Sequence, residues 1–314
     1  MHLQHAPYDW NAVERELGLF RLDGSPKPVM REMEAFSKFV ENFAYPSLPQ
    51  RIVDGICILS RGQDYWANAY MSFTLAKQAG LDLEFAYSDQ ELPDAPLYLL
   101  PGICGDAAIT ARRMRQLLDK VKAGALLYIS LDDGLLSGME SFCGVRSKGR
   151  ERLCANKAVT FDLNEAFTAP LYFNYKLELE TCGAQVLACD EEGIPVCTKF
   201  SVGKGAVVLM AAPLEMMLAR QPGRILEKPE YYRIYRYLYD CTTGKKVARV
   251  EQANVGITEH VLDNDRRILV LVNYDPEPAQ IHLSLSAGWN IQAFHRGTLL
   301  IPGNDCTVLE IHVK

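Results

Sequence analysis

Three groupings of side chains in this sequence have the residue types for covalent or proton-transfer chemistry. Cys104 stands in Gly102-Ile103-Cys104-Gly105, glycine-flanked after an apolar run, where a nucleophilic thiol on a sharp turn would sit. Such a thiol needs a base to take its proton. The six histidines (His2, His5, His260, His282, His295, His312) all lie outside the stretch of alternating strands and helices that carries Cys104, so it reads as a loop thiol. Asp132-Asp133 closes another apolar run. Open α/β sheets bind ligands at such strand ends, but adjacent side chains diverge, which favours helix capping or loop hydrogen bonds over two-metal or shared-proton chemistry. Third, Asp9, Glu14 and Glu16 share a short acidic loop with Tyr8 and Trp10. No catalytic residue is assigned from these spacings.

Other signals are weaker still. Gly203-Lys204-Gly205 lacks the spacing of a phosphate loop and joins two apolar runs, so it reads as a hairpin turn. The cysteines are nine, an odd number, scattered without C-x2-C spacing, so neither a metal nor a cofactor is expected.

The elements that would position these groups begin at Ile56-Cys57-Ile58-Leu59-Ser60, a short apolar run followed by a helical stretch over 65–80. Strands at 83–87 and 97–100, a helix over 109–124 and a strand at 125–130 follow. Near-continuous apolar strands alternating with helices predict a parallel sheet covered on both faces. The basic cluster Arg146 to Arg152 reads as a solvated loop, and the poor pattern over 147–168 as a long excursion from the sheet. Extended strands are expected over 171–188 and 196–210, then a tyrosine-rich helix from Pro229 to Tyr239.

Upstream, Leu19-Phe20-Arg21-Leu22 reads as a short strand. Val29, Met33, Phe36, Phe39, Val40 and Phe43 recur at helical steps, with Pro28 setting the helix entry and Pro46 its end. From Val250 the period changes to two. Strands at 255–261, 267–273, 279–285, 289–295 and 306–313, separated by turns such as Asp275-Pro276-Glu277-Pro278, predict a small antiparallel β-sandwich in which Trp289 packs into the core.

Composition narrows the setting. A net charge of −6 and a pI near 5.6 over 314 residues give no concentrated basic face, so neither nucleic acid nor an anionic membrane is an expected partner. No apolar stretch reaches the ~18 residues of a membrane span. The N-terminus lacks the pattern of a signal peptide. With cysteines in apolar runs (Cys57, Cys182, Cys189) behaving as small core residues, a cytoplasmic location is expected.

Several of these passages carry a resemblance. Gly18-Leu19-Phe20-Arg21-Leu22-Asp23-Gly24-Ser25-Pro26-Lys27-Pro28 resembles the passage from last strand to last helix of a (β/α)8-barrel glycoside hydrolase. Leu97-Tyr98-Leu99-Leu100-Pro101, Gly203 to Leu209 and Pro213-Leu214-Glu215 resemble the amidotransferase-like trimerisation domain of family-42-type β-galactosidases. Val272-Asn273-Tyr274 resembles a piece of their terminal β domain. The resemblance implies a barrel remnant over 1–47 and a class I amidotransferase-like or flavodoxin-like α/β domain over 48–245, with a β-sandwich over 246–314. It implies that Tyr8, Trp10, Glu14 and Glu16 belong to a carbohydrate-binding loop. Glycosidases need two carboxyl groups facing each other across the bond, and in such barrels these stand on earlier strands. The expectation is therefore a portion without glycosidase activity of its own, acting in assembly as a homo-oligomer or completing a carbohydrate site with a barrel-bearing chain. The alternatives are an active glycosidase with an unseen site and a carbohydrate-binding module using Trp10, Trp66 or Trp289.

Overall fold

The structure is a computed structural model that describes residues 18–21, 23–45, 47–221 and 230–314. Tyr8, Trp10, Glu14 and Glu16, together with Leu22, Pro46 and Pro229, lie outside the described residues. The chain forms two compact units, Met1–Pro49 and Gln50–Lys314.

In the first unit, Phe20 and Pro26 form an isolated bridge, and helix α1 (Val29–Glu41) follows Pro28. None of its residues is buried. Its apolar side pairs Phe36 with Phe39 and Phe39 with Phe43, at centroid separations of 6.4 and 5.4 Å.

The second unit opens with β1 (Gly55–Leu59), α2 (Tyr65–Ala79), β2 (Leu83–Tyr87), β3 (Leu97–Ile103), α3 (Ala111–Ala123) and β4 (Leu126–Leu131). After the short helix α4 (Met139–Cys143) come β5 (Val145–Phe161), β6 (Phe167–Thr181), β7 (Gln185–Asp190), β8 (Pro195–Val202) and β9 (Gly205–Met210). Helices α5 (Leu214–Ala219) and α6 (Tyr232–Asp240) complete the α/β part. Local chemistry sets the helix bounds. Asp64 accepts the Ala67 amide at 3.0 Å to start α2, and Gly80 at φ 83° ends it. The Thr110 hydroxyl does the same for α3 at Arg113.

The nine strands form one sheet in the order β2-β1-β3-β4-β9-β8-β7-β5-β6. The first five run parallel, and the remaining pairings are antiparallel. The expected parallel sheet is therefore the first part of a mixed one, and the expected hairpin at Gly203-Lys204-Gly205 joins β8 to β9. Alternation along the strands splits the core in two. Cys57, Leu59, Leu99 and Tyr128 face α2, α5 and α6, while Ile58, Tyr98, Leu100 and Ile129 face α3 and α4.

The excursion expected over 147–168 is instead part of the sheet, as is the basic loop. Strands β5 and β6 make a long hairpin paired from Val145↔Thr181 to Phe161↔Phe167. Charged side chains fill much of β5, which leaves no apolar alternation to read there, whereas β6 alternates from Phe167 to Leu179 with Ala169, Leu171, Phe173, Leu177 and Leu179 buried. Arg150 stacks on Tyr175 at 3.9 Å and Lys148 pairs with Glu180 at 2.9 Å across the strands. The single strand expected over 171–188 is broken, with β6 ending at Thr181 and β7 starting at Gln185. Of the tyrosines here, Tyr231 just before α6 and Tyr235 and Tyr239 within it are buried, while Tyr232 and Tyr237 are partly exposed.

The β part comprises β10 (Ala248–Val250), β11 (Val255–Val261), β12 (Arg266–Asn273), β13 (Ala279–Gln280), β14 (Leu283–Leu285), β15 (Trp289–Arg296), β16 (Leu300–Ile301) and β17 (Cys306–Val313). A four-stranded antiparallel sheet, β11-β12-β17-β15, faces two short pairs, β10-β14 and β13-β16. The strand expected over 279–285 is thus two, which separate around the buried Ile281 to join different partners. Trp289 is half-buried, its ring 4.8 Å from the Arg267 guanidinium carbon.

A shielded charge cluster ties the lead-in of this β part to the amino ends of β1 and β2. Lys246 Nζ lies 2.7 Å from Asp54 Oδ2 and 3.3 Å from Asp82 Oδ2, and Lys77 also pairs with Asp82. Among the described residues no helix is long and apolar enough to cross a membrane.

Candidate functional site

The carboxyl ends of β3 and β4 meet at a cavity of about 270 Å3, where the β5–β6 hairpin comes alongside. It is lined by Cys104, Asp132, Asp133, Arg152, Cys154, Asn174, Tyr175 and Arg220. Two of the three groupings singled out in the sequence are therefore brought together, Cys104 and Asp132-Asp133. Among the described residues that line it there is no histidine.

The turns that build the mouth depend on glycine. Gly102 has φ +56°, and a Cβ there would fall 2.3 Å from Asn68 Oδ1. A Cβ on Gly134 would fall 2.6 Å from the Gly105 carbonyl oxygen. Of the glycines beside Cys104, Gly102 thus makes room for the Asn68 side chain and Gly105, at φ +67°, serves the turn itself.

Both aspartates are already engaged. Asp133 Oδ1 accepts the Gly105 amide at 2.8 Å. The Cys104 thiol and this amide hold its carboxyl below the usual range. Asp132 Oδ1 accepts from Asn174 Nδ2 at 2.7 Å, yet burial raises its pKa. The Cys104 thiol is pushed up to about 11, chiefly by burial and then by donating to Asp133. Cys104 is accordingly a poor nucleophile at neutral pH.

Cys154 is the opposite case, and nothing in its local sequence marks it. The β5 register slips between Arg152 and Ala155, and Cys154 sits in the slip at φ 51° with its thiol exposed. Contact with Arg152, then with the Tyr172 hydroxyl, lowers its pKa. The signal that could have found it is a cysteine two residues after an arginine in a bulged strand, legible only once the hairpin is known.

Beneath the cavity lies a buried polar relay. Ser130 Oγ accepts the Gly102 amide at 2.8 Å and donates to Glu215 Oε2 at 2.6 Å. Tyr235 donates to Glu215 Oε1 at 2.9 Å. Burial raises the pKa of Glu215. The relay fixes the strand ends on which Cys104 and Asp132 stand. Chemically, the cavity brings two arginines and the Cys154 thiol together with engaged carboxyls, an arrangement for holding a small polar group. A larger depression of about 450 Å3 lies on the β part by Asp263–Arg266 and His312, where Arg266 is already paired with Asp263 at 2.8 Å.

No protein-family model and no curated protein matches the chain. Solved structures do. The β-galactosidase of Bacillus circulans sp. alkalophilus superposes with a TM-score of 0.65 at 13% identity, covering 93% of this chain and 46% of its own. The GH42 β-galactosidase Gan42B from G. stearothermophilus gives 0.59 at 10% identity, with 93% and 46% covered. The exo-β-1,4-mannosidase Op5Man5 from Opitutaceae bacterium strain TAV5 gives 0.58 at 19% identity, with 74% and 43%. The chain spans less than half the length of each. Its fold is that of part of a GH42-type β-galactosidase chain.

Proposed function

We propose that this chain is the C-terminal portion of a glycosidase-like protein, from the end of a barrel onward, and that it works in assembly, or completes a carbohydrate site carried by another chain, without cleaving glycosides by itself. One observation carries the reading. The acids at the carboxyl edge of the sheet, Asp132 and Asp133, are neighbours on a single turn and each is held by a partner. Glycosidic cleavage takes two carboxyls opposed across the bond, roughly 5–10 Å apart.

The fold likeness to glycosidases supports the relationship. The parallel strand order 2-1-3-4-9 supports an amidotransferase-like or flavodoxin-like core for residues 48–245, because doubly wound sheets of this order are covered by helices on both faces. In this reading residues 1–47 are assigned to the end of a barrel and 246–314 to a terminal β domain. All nine cysteines are free thiols, which supports a reducing, cytoplasmic setting.

Light scattering on the pure chain tests the assembly half of the proposal. A mass at a multiple of 35.2 kDa is expected, and a strict monomer at high concentration contradicts it.

A further inference from the structure

Two guanidinium groups from distant segments line the cavity at the carboxyl edge of the sheet. Arg152 comes from β5, opposite Tyr175 of β6, and Arg220 follows the last residue of α5. Both are exposed, so a ligand can reach them from solution. The Tyr172 hydroxyl lies within electrostatic reach of the two charges together. Among the described residues neither arginine has a carboxylate at salt-bridge distance. The other cations of the hairpin are matched, Arg146 with Glu140, Lys148 with Glu180 and Lys157 with Asp190, while Arg150 lies over the Tyr175 ring. In a chain of net charge −6, two uncommitted arginines at one cavity call for a partner.

The place is where an open α/β sheet takes its ligands, outside the carboxyl ends of its strands. The crevice at the switch point itself, between β1 and β3, is filled. Gln63 Oε1 accepts the Ser60 amide at 2.9 Å, and Gln63 Nε2 donates to the Pro101 carbonyl at 2.7 Å. The open volume lies one strand over, at the ends of β3 and β4 and beside the β5–β6 hairpin. At about 270 Å3 it falls just under the roughly 300–1,000 Å3 of pockets for drug-sized ligands. That is the scale of a single sugar ring.

The charges set the kind of ligand. Guanidinium groups recognise the oxygens of carboxylates and phosphates. A bare anion would also meet Asp132 and Asp133. Asp133 is kept ionised by the Cys104 thiol and the Gly105 amide, with the Arg150 charge nearby. Asp132 accepts from Asn174 through Oδ1, and its Oδ2 is an acceptor for a hydroxyl. The lining therefore suits a molecule that carries both an acid group and hydroxyl donors.

We propose that this cavity binds a small hydroxylated anion, a sugar acid or a sugar phosphate, with its acid group on Arg152 and Arg220 and a hydroxyl on Asp132. The site is built by one chain, goes beyond the assembly reading and does not rest on it.

Isothermal titration calorimetry on the full chain tests it, with glucuronate, glucose 6-phosphate, glucose and inorganic phosphate as probes. The expected result is one-to-one binding of glucuronate, of glucose 6-phosphate or of both, and the pair distinguishes a carboxylate ligand from a phosphate one. Glucose and inorganic phosphate should bind at least ~10-fold more weakly. Arg152→Met and Arg220→Met should each weaken the hexose acid ~10-fold or more, with unchanged circular dichroism. Glucose binding as tightly as the acids overturns the proposal. Inorganic phosphate doing so marks an adventitious ion only and overturns it too, as does an affinity unmoved by both arginine substitutions. A second readout needs no variant. The bound acid should slow iodoacetamide labelling of Cys154, which lines the same cavity, and leave Cys182, just beyond β6, unchanged. Labelling of Cys154 that ignores both hexose acids at millimolar concentration overturns the proposal.

Discussion

Lys246 Nζ and Asp54 Oδ2 lie 2.7 Å apart with both side chains only 1% exposed, so the chain entering the β part is pinned to the amino end of β1 by a salt bridge that water does not reach. Asp82 shares the same ammonium at 3.3 Å and Lys77 balances it from α2. Removing one ion from such a cluster leaves the others desolvated and unmatched. Lys246→Met is expected to lower the unfolding free energy by ~3–5 kcal/mol, read by urea denaturation. Exposed Lys38→Met, which breaks only the 2.7 Å surface pair with Glu34, should change it by under ~1 kcal/mol.

Glu215 gives a pH-dependent signature. Its folded pKa is raised by burial, so its favourable contribution is fully present below the unfolded value and is lost as pH rises through the folded one. The unaltered chain should therefore lose stability relative to Glu215→Gln as pH rises from acid towards neutral. Matched urea titrations across that range read the difference, and parallel curves would contradict the raised pKa of the buried carboxyl.

Cys154 should be the first thiol to react. It is exposed and Arg152 favours its thiolate, whereas Cys57 and Cys197 are buried and pushed up to about 12. Iodoacetamide labelling followed by peptide mass spectrometry should find Cys154 modified ahead of the other cysteines. Arg152→Met should slow it and move its pH midpoint upward.

Gly102 should tolerate no side chain. Gly102→Ala combines positive φ with a Cβ 2.3 Å from Asn68 Oδ1, at an expected cost of at least ~2 kcal/mol. The melting temperature of the variant checks this.

How far the sequence could be read depended on where water lies. Strands β1, β3 and β4 are buried on both faces, so Ile56 to Leu59, Leu97 to Leu100 and Leu126 to Ile129 appear as uninterrupted apolar runs. Residues such as Arg150, Glu151 and Arg152 in β5 meet solvent, so that strand leaves little periodic trace, although its partner β6 alternates and sends Leu171, Phe173, Leu177 and Leu179 into the core. The Asp132-Asp133 turn and Cys104 were legible as strand ends. Their meeting with Cys154 was not, because it depends on a bulge and on a hairpin folding back. Ser130 and Glu215 are 85 residues apart, and a glutamate inside Leu214-Glu215-Met216 reads as helix surface until the packing of α5 is known. The outward turn of Trp66, Tyr70 and Phe73, all exposed, was hidden for a related reason: their spacing is that of any core stripe, and only the packing of α2 decides that it faces out.

The central claim is that this chain does not open glycosidic bonds unaided. The direct test is release of nitrophenol from nitrophenyl β-galactoside and β-mannoside by the pure chain. The account predicts no release above the uncatalysed rate. Turnover that disappears on Asp132→Asn, Asp133→Asn, Glu14→Gln or Glu16→Gln would contradict it.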